Sequence, residues 1–153
     1  MADSSIQQEP CALAPAAVER FLARRQELFR KHDAAALADD YAPDCVVESP
    51  VRGTIHGRED VEALFRDFFR AFPDVEYQRQ EVLVDRDRLA LTCTMRGTHH
   101  GEFLGLAGTG RSFDFQVAQI FKFRGDQIIE ERRIYDFTGL LLQIGVLKVK
   151  PAF

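Results

Sequence analysis

The stretch Phe113-Asp114-Phe115-Gln116-Val117-Ala118-Gln119-Ile120-Phe121-Lys122-Phe123, continued through Arg124-Gly125-Asp126-Gln127 into Ile128-Ile129-Glu130-Glu131-Arg132-Arg133-Ile134-Tyr135, decides the fold. Its apolar residues recur with a period of two, the mark of a β-strand with one buried face, and Gly125-Asp126 supplies a hairpin turn. The odd positions Phe113, Phe115, Val117, Gln119, Phe121 and Phe123 form the core face, and Gln119 is its one polar member. A three-residue loop, Gly125 to Asp126 to Gln127, sets Arg124 opposite Ile128. The pairs that follow are Phe123 with Ile129, Phe121 with Glu131, Gln119 with Arg133, Val117 with Tyr135 and Phe115 with Phe137, with Lys122 opposite Glu130 outside. A two-residue turn would set Glu130 against Phe121 and Asp136 against Phe115, a poorer match of polarity. The three-residue loop is therefore the expected one.

That register places Gln119, Glu131, Arg133 and Tyr135 side by side on an inward face walled by phenylalanines. A buried lone ion costs several kcal/mol, so Arg133 requires Glu131, another carboxylate or a ligand. Two outcomes are open: an internal Glu131–Arg133 ion pair or a solvated sheet end, and a pocket whose cationic donor holds an enolate, phenolate or carboxylate. The strand Leu89 to Arg96 adds Leu89, Leu91, Cys93 and Met95 to the same face, and its phase brings His99 inward at the strand end. A histidine there can act as acid or base near neutral pH, or simply form a hydrogen bond at the rim. Glu48 ends an early strand near the expected mouth, where it either serves as a base or faces water. Asp114 falls on the outer face.

The rest of the chain supplies helices first. Residues 1–13 read as a disordered leader, residues 14–147 as one domain and residues 148–153 as a C-terminal tail. Pro15 suits a first helical turn, and Val18, Phe21, Leu22, Leu28 and Phe29 make an apolar side over about 15 to 31, with Glu19, Arg24, Arg25 and Lys31 on the other side. Asp33 caps a short second helix carrying Leu37 and Tyr41, ended by Pro43. Cys45 to Glu48 is a short strand, and Gly53 and Gly57 flank a turn. Val61, Leu64, Phe65, Phe68 and Phe72 make an amphipathic third helix that stops at Pro73. From Val75 the period is two, giving strands at Glu76 to Val84, Leu89 to Arg96, Phe113 to Phe123 and Ile128 to Tyr135. Helices followed by an antiparallel meander specify an α+β fold, three N-terminal helices on a curved, mostly antiparallel sheet.

Composition narrows the function. The chain has 153 residues, 46% of them hydrophobic, and a net charge of −4 with both signs interspersed, so nothing in it reads as a nucleic-acid or anionic-membrane footprint. No apolar run approaches the roughly 20 residues that span a bilayer, and the acidic start Met1-Ala2-Asp3-Ser4-Ser5 is unlike a signal peptide. The expected location is the cytoplasm. Cys11, Cys45 and Cys93 are odd in number and widely spaced, which favours neither a disulfide framework nor a zinc site, and the four histidines suggest no metal. Gly101 to Gly110 lacks a following Gly-Lys-Ser/Thr and reads as a turn, not a phosphate cradle. Neither a Gly-x-Ser-x-Gly elbow nor a His-Glu-x-x-His helix is present.

The order Tyr41-Ala42-Pro43-Asp44, Ile55-His56-Gly57-Arg58-Glu59, Phe68-Phe69-Arg70-Ala71-Phe72-Pro73-Asp74, Gly97-Thr98-His99-His100-Gly101-Glu102-Phe103 and Tyr135-Asp136-Phe137-Thr138-Gly139-Leu140-Leu141 resembles the SnoaL-like polyketide cyclases of the nuclear transport factor 2-like superfamily, over about residues 15 to 147. The resemblance implies a cone-shaped α+β barrel with a deep apolar pocket, a homodimer, no cofactor, a small-molecule substrate and a place in antibiotic biosynthesis. Its best-understood members close the last ring of anthracyclines by an intramolecular aldol reaction. Carried over residue by residue, however, their acid/base aspartate falls at Arg133, their facing histidine at Gln119 and their asparagine at Val47, next to Glu48. Arginine is effectively always protonated, so Arg133 is not a general base. The expected catalytic set is Glu48, His99, Glu131, Arg133 and Tyr135, with substrate contacts from Gln119, Val117, Phe121, Phe65, Phe69, Phe103 and Val47. Three activities fit: cyclisation or isomerisation of a polyketide-like or aromatic substrate, epoxide opening by a carboxylate–arginine pair, and binding without catalysis.

Overall fold

The computed structural model of the chain describes residues 11–150. Its elements are α1 (Pro15–Lys31), α2 (Ala34–Asp39), β1 (Tyr41–Ser49), β2 (Gly53–His56), α3 (Arg58–Ala71), β3 (Glu76–Asp85), β4 (Arg88–Thr98), β5 (Ser112–Arg124), β6 (Gln127–Tyr135) and α4 (Phe137–Gln143). The strands form one mixed sheet in the order β2-β1-β6-β5-β4-β3. Every neighbouring pair is antiparallel except β1 and β6, which run parallel. The sheet curls around α1 and α3, and the aromatic faces of these helices fill its inner side: Phe29 stacks on Tyr77 at 4.4 Å, and Phe65 and Phe69 meet Phe29 edge-on. This is the α+β architecture that the order of periodicities specifies.

The inner face of β4 and β5 is the expected one. Leu89, Leu91, Cys93, Met95, Phe113, Phe115, Val117, Gln119, Phe121 and Phe123 are all buried. Asp114 lies outside, bonded to Arg96 at 2.8 Å, and Lys122 pairs with Glu130 at 3.6 Å. The hairpin loop differs from expectation. Arg124 pairs with Gln127 and Phe123 with Ile128 across a two-residue turn, with Gly125 at φ 64. An extra residue, Ile129, then bulges β6 between Ile128 and Glu130, so that Lys122 pairs with Glu130 and Gln119 with Arg133. A bulge adds one residue to one strand, which offsets the one residue missing from the loop. The expected pairs at Phe121, Gln119 and Val117 therefore stand, while the Phe123–Ile129 and Arg124–Ile128 pairs do not.

Four elements correct the sequence reading. Tyr41 is not on the second helix: it opens β1, pairing with Ile128, whose N–H donates to the Asp40 carbonyl at 2.8 Å. Pro43 sits where the β1–β6 ladder is interrupted between Tyr41 and Val46, so its missing N–H deprives the sheet of nothing. Residues 53–56 are a strand rather than a turn, closing a hairpin on Val46 to Ser49. Phe137 does not extend β6 to meet Phe115. Asp136 accepts a hydrogen bond from the Gly139 N–H at 2.8 Å and so caps a fourth helix, α4. Arg25 is not on the solvent side of α1: it is fully buried.

The expected leader lies largely outside the described residues. Leu13, at its end, is bound to the domain, its N–H donating to the Arg86 carbonyl at 2.8 Å. Of the expected tail, residues 148–150 carry no regular structure. Among the described residues no helix is long and apolar enough to cross a membrane, and no three histidine, cysteine or acidic side chains converge as a metal set would.

Candidate active site

A cavity of about 260 Å³ opens between α3 and the inner face of β4, β5 and β6. Its walls are Leu64, Phe65 and Phe68 from α3, with Met95, Phe115 and Val117 from the sheet. Strand alternation carries Gln119, Arg133 and Tyr135 into it as well, because each pairs across the β5–β6 ladder on the inner face. The loop between β4 and β5 folds back over the mouth. Its backbone is tied to α3 by the His100 and Gly101 N–H groups, which both donate to the Ala71 carbonyl at 3.1 and 3.0 Å. At its tip Phe103 and Leu106 exchange backbone bonds of 2.9 Å around Leu104 and Gly105, both at positive φ.

At the base of the cavity stands a buried polar cluster. Glu131 accepts from Arg133 Nε at 2.7 Å and Nη2 at 3.0 Å, from Gln119 Nε2 at 2.8 Å and from the Tyr41 hydroxyl at 2.5 Å. Burial alone would raise its carboxyl, but the Arg133 guanidinium, aided by Arg25 and these donors, outweighs it and holds the group at about 2. Glu131 is thus a locked counter-ion with its lone pairs engaged, a poor proton acceptor. Arg133 is correspondingly fixed: its side chain is 12% exposed, it lines the cavity, and its Nη1 has no hydrogen bond among the described residues. The Phe65 ring lies 5.0 Å from its Cζ. Tyr135, with Ser49 beside its phenol, is pushed above the ordinary tyrosine value by burial and stays protonated at neutral pH. Burial raises the Tyr41 phenol too, with Glu131 adding to the effect.

Of the expected site residues, the structure brings Gln119, Arg133, Tyr135, Val117, Phe65 and Phe103 to the cavity, with Glu131 immediately behind Arg133. It does not bring the others. Glu48 is registered opposite Arg132 in the parallel β1–β6 pair and bonds it at 2.7 Å on the outer face, half exposed. Val47 is buried beside Glu131 in that ladder without reaching the cavity. Phe69 turns toward α1, stacking on His32 at 4.7 Å. Phe121 packs against Phe21 and Arg25. His99 is buried behind Phe72 and Phe103, its Nδ1 3.1 Å from Thr109 Oγ1, and burial lowers its pKa.

Residues that the sequence reading passed over complete the site. Arg25 and Tyr41 join the buried cluster, and Arg52, Asp67, Arg70 and Glu102 ring the mouth, where Asp67 pairs with both arginines. Arg25 was detectable: Phe21, Arg25 and Phe29 stand four apart, on one helical stripe.

The profile of the SnoaL-like polyketide cyclases matches residues 19–144. The chain belongs to that family. Among solved structures, the candidate polyketide cyclase IdmH from Streptomyces antibioticus is 30% identical, with a TM-score of 0.70 over 83% of this chain and 97% of IdmH. AclR, a candidate hydroxylase from Streptomyces galilaeus, is 23% identical at a TM-score of 0.76, covering 91% and 87% of the two chains. A candidate SnoaL-like cyclase from Jannaschia sp. CCS1 is 22% identical at 0.75, covering 92% and 98%. No curated protein sequence matches the chain. For this SnoaL-like chain the two more distant structures establish the fold, which agrees with the sheet order and the helix-lined inner face described above.

Proposed function

We propose that this SnoaL-like protein is a small-molecule cyclase or isomerase that works on an aromatic or polyketide-like substrate by acid/base chemistry without a cofactor. The observation that carries this reading is Arg133: an immobilised guanidinium lining an apolar cavity, with Nε and Nη2 held by Glu131 and Nη1 in no hydrogen bond among the described residues. Such a donor, preorganised where water is scarce, polarises a carbonyl and stabilises the enolate or alkoxide that forms as a ring closes or a double bond migrates. Tyr135 donates a proton to the developing oxyanion from the same strand. Glu131 is spoken for, so the proton acceptor belongs at the mouth. There Glu102, in no ion pair among the described residues, is better suited than Asp67, which two arginines already engage.

Family membership supports the further expectations of a cytoplasmic homodimer in polyketide antibiotic biosynthesis. One feature favours a second reading, a binder without turnover: the one carboxylate at the base of the cavity is locked as a counter-ion. The test is single-turnover assay of linear and tricyclic aromatic β-keto esters with the wild type, Arg133→Met and Glu102→Gln. Removing one oxyanion donor costs about 10²–10³ in kcat, so Arg133→Met should fall by that factor with its fold retained. Saturable binding of these esters with no turnover would sink the enzyme reading in favour of the binder.

A further inference from the structure

The cavity sits on an unbalanced charge. Arg25, 0% exposed, projects from α1 behind the cavity, and among the described residues none of its three guanidinium nitrogens has a hydrogen-bond partner. Four rings surround it instead, Phe121 at 5.1 Å, Phe29 at 5.3 Å, Phe65 at 5.8 Å and Phe21 at 5.9 Å from its Cζ. Arg25 and Arg133 share the Phe65 ring, at 5.8 and 5.0 Å, so both cations belong to the same low-dielectric region. Among the described residues Glu131 is the one carboxylate between them, and Arg133 holds it directly. The remaining titratable neighbours, Tyr41 on β1, Tyr77 on β3, Cys93 on β4 and Tyr135 on β6, are neutral at pH 7. At the mouth Arg52 and Arg70 balance Asp67 and Glu102. Among the described residues, base and mouth together hold four arginines against three carboxylates.

A second observation points the same way. Gln119, 2% exposed and lining the cavity, spends its Nε2 on Glu131, and its buried Oε1 has no partner among the described residues. Flipping the amide would set oxygen against the carboxylate, so the acceptor is held away from Glu131. Directly across the ladder from it is Arg133, whose Nη1 has no hydrogen bond among the described residues. The unpartnered acceptor of Gln119 and the Arg133 guanidinium are therefore neighbours on the cavity wall.

We propose that the site takes its ligand as a mono-anion, an oxyanion on an aromatic or enolic ring that meets Arg133 while a neighbouring O–H donates to Gln119, and that Arg25 enforces this choice through its charge without touching the ligand. This rests on the reading of the cavity as a small-molecule site but not on catalysis. An arginine kept where apolar residues would pack as well has its charge as its distinguishing contribution. For unit charges roughly 10 Å apart at an effective dielectric of about 20, the Coulomb interaction amounts to about tenfold in affinity or more.

The probes are 2-naphthol, 2,3-dihydroxynaphthalene and the neutral isostere 2-methoxynaphthalene, titrated against the full chain and followed by ultraviolet absorption, which separates naphthol from naphtholate in the ground state. With wild type the bound naphthol should ionise at least one pH unit lower than in water, and the diol should bind more tightly than either other probe. Arg25→Met should reduce that lowering by about tenfold in ionisation constant, and Arg25→Lys should retain it. The wild-type measurement needs no variant, so a misfolded Arg25→Met leaves the proposal exposed to refutation. Equal affinity for naphthol and its methyl ether at all pH values would overturn the charge inference while leaving the cavity as a binding site. An unchanged ionisation shift in folded Arg25→Met would overturn the part given to Arg25. If none of the three probes bound, the small-molecule reading itself would fail.

Discussion

Replacing Glu131 by glutamine keeps the shape of the side chain and removes the one negative charge between two buried arginines. The size of the effect follows from two separate routes. Breaking a buried pair by removing one partner, with the other charge left uncompensated, costs about 3–5 kcal/mol. Independently, lowering the carboxyl from its ordinary 4.5 to about 2, at about 1.4 kcal/mol for each tenfold, corresponds to roughly 3 kcal/mol of stability at neutral pH. The two routes agree, and for a domain of this size a loss of about 3 kcal/mol lowers the melting temperature by roughly 10 °C. Thermal unfolding at pH 7, followed by circular dichroism, measures it. A double variant, Glu131→Gln with Arg133→Met, should recover part of the loss, because one of the stranded charges is then gone. A Glu131→Gln protein that melts within about 2 °C of wild type would refute the picture of Glu131 as the counter-ion of the buried cluster.

Acid should unfold the protein in two steps. His99, held below its ordinary value by burial, binds its proton more readily unfolded, so stability falls as the pH drops below about 6.5; Glu131, depressed to about 2, contributes stability that is complete above 4.5 and is lost between 4.5 and 2. In urea titrations across pH 3 to 8, His99→Phe should remove the upper step and Glu131→Gln the lower; a flat profile above pH 5 in the wild type would contradict the first. Tyr135→Phe should leave the melting temperature nearly unchanged while lowering kcat by about 10²-fold or more, as loss of a general acid does; an unchanged kcat would remove Tyr135 from the mechanism. Gly101→Ala sets a Cβ 2.1 Å from the Arg70 carbonyl oxygen, so the loop over the mouth should detach from α3. Faster amide exchange at positions 100 and 101 in the variant is the readout, and exchange at His100 equal to wild type would show that the loop absorbs the methyl group.

How much of this was legible in the sequence varies by residue. Period-two alternation is local, and by itself it places Gln119, Glu131, Arg133 and Tyr135 on one face. The pairing at those positions is the same for a three-residue loop and for the two-residue turn present, because the Ile129 bulge and the shorter turn offset each other. The family resemblance, also a property of the sequence, located the residues that depart from the aldol cyclases, above all Arg133 and Gln119.

What the sequence by itself determined, then, was the α+β order of elements, the two-faced strands and the polar points on their inner face, since each depends on neighbours two to four residues apart. Which carboxylate meets which arginine was decided only by tertiary structure. Glu48 faces outward because β1 runs parallel to β6 with Glu48 opposite Arg132, a pairing across 84 residues that no local pattern encodes. Tyr41 reaches Glu131 from 90 residues away, and Arg25 is buried because α1 lies on the concave side of the sheet. Charge balance in a low-dielectric interior is a sum over all the elements that enclose it, and that enclosure exists only once the chain has folded.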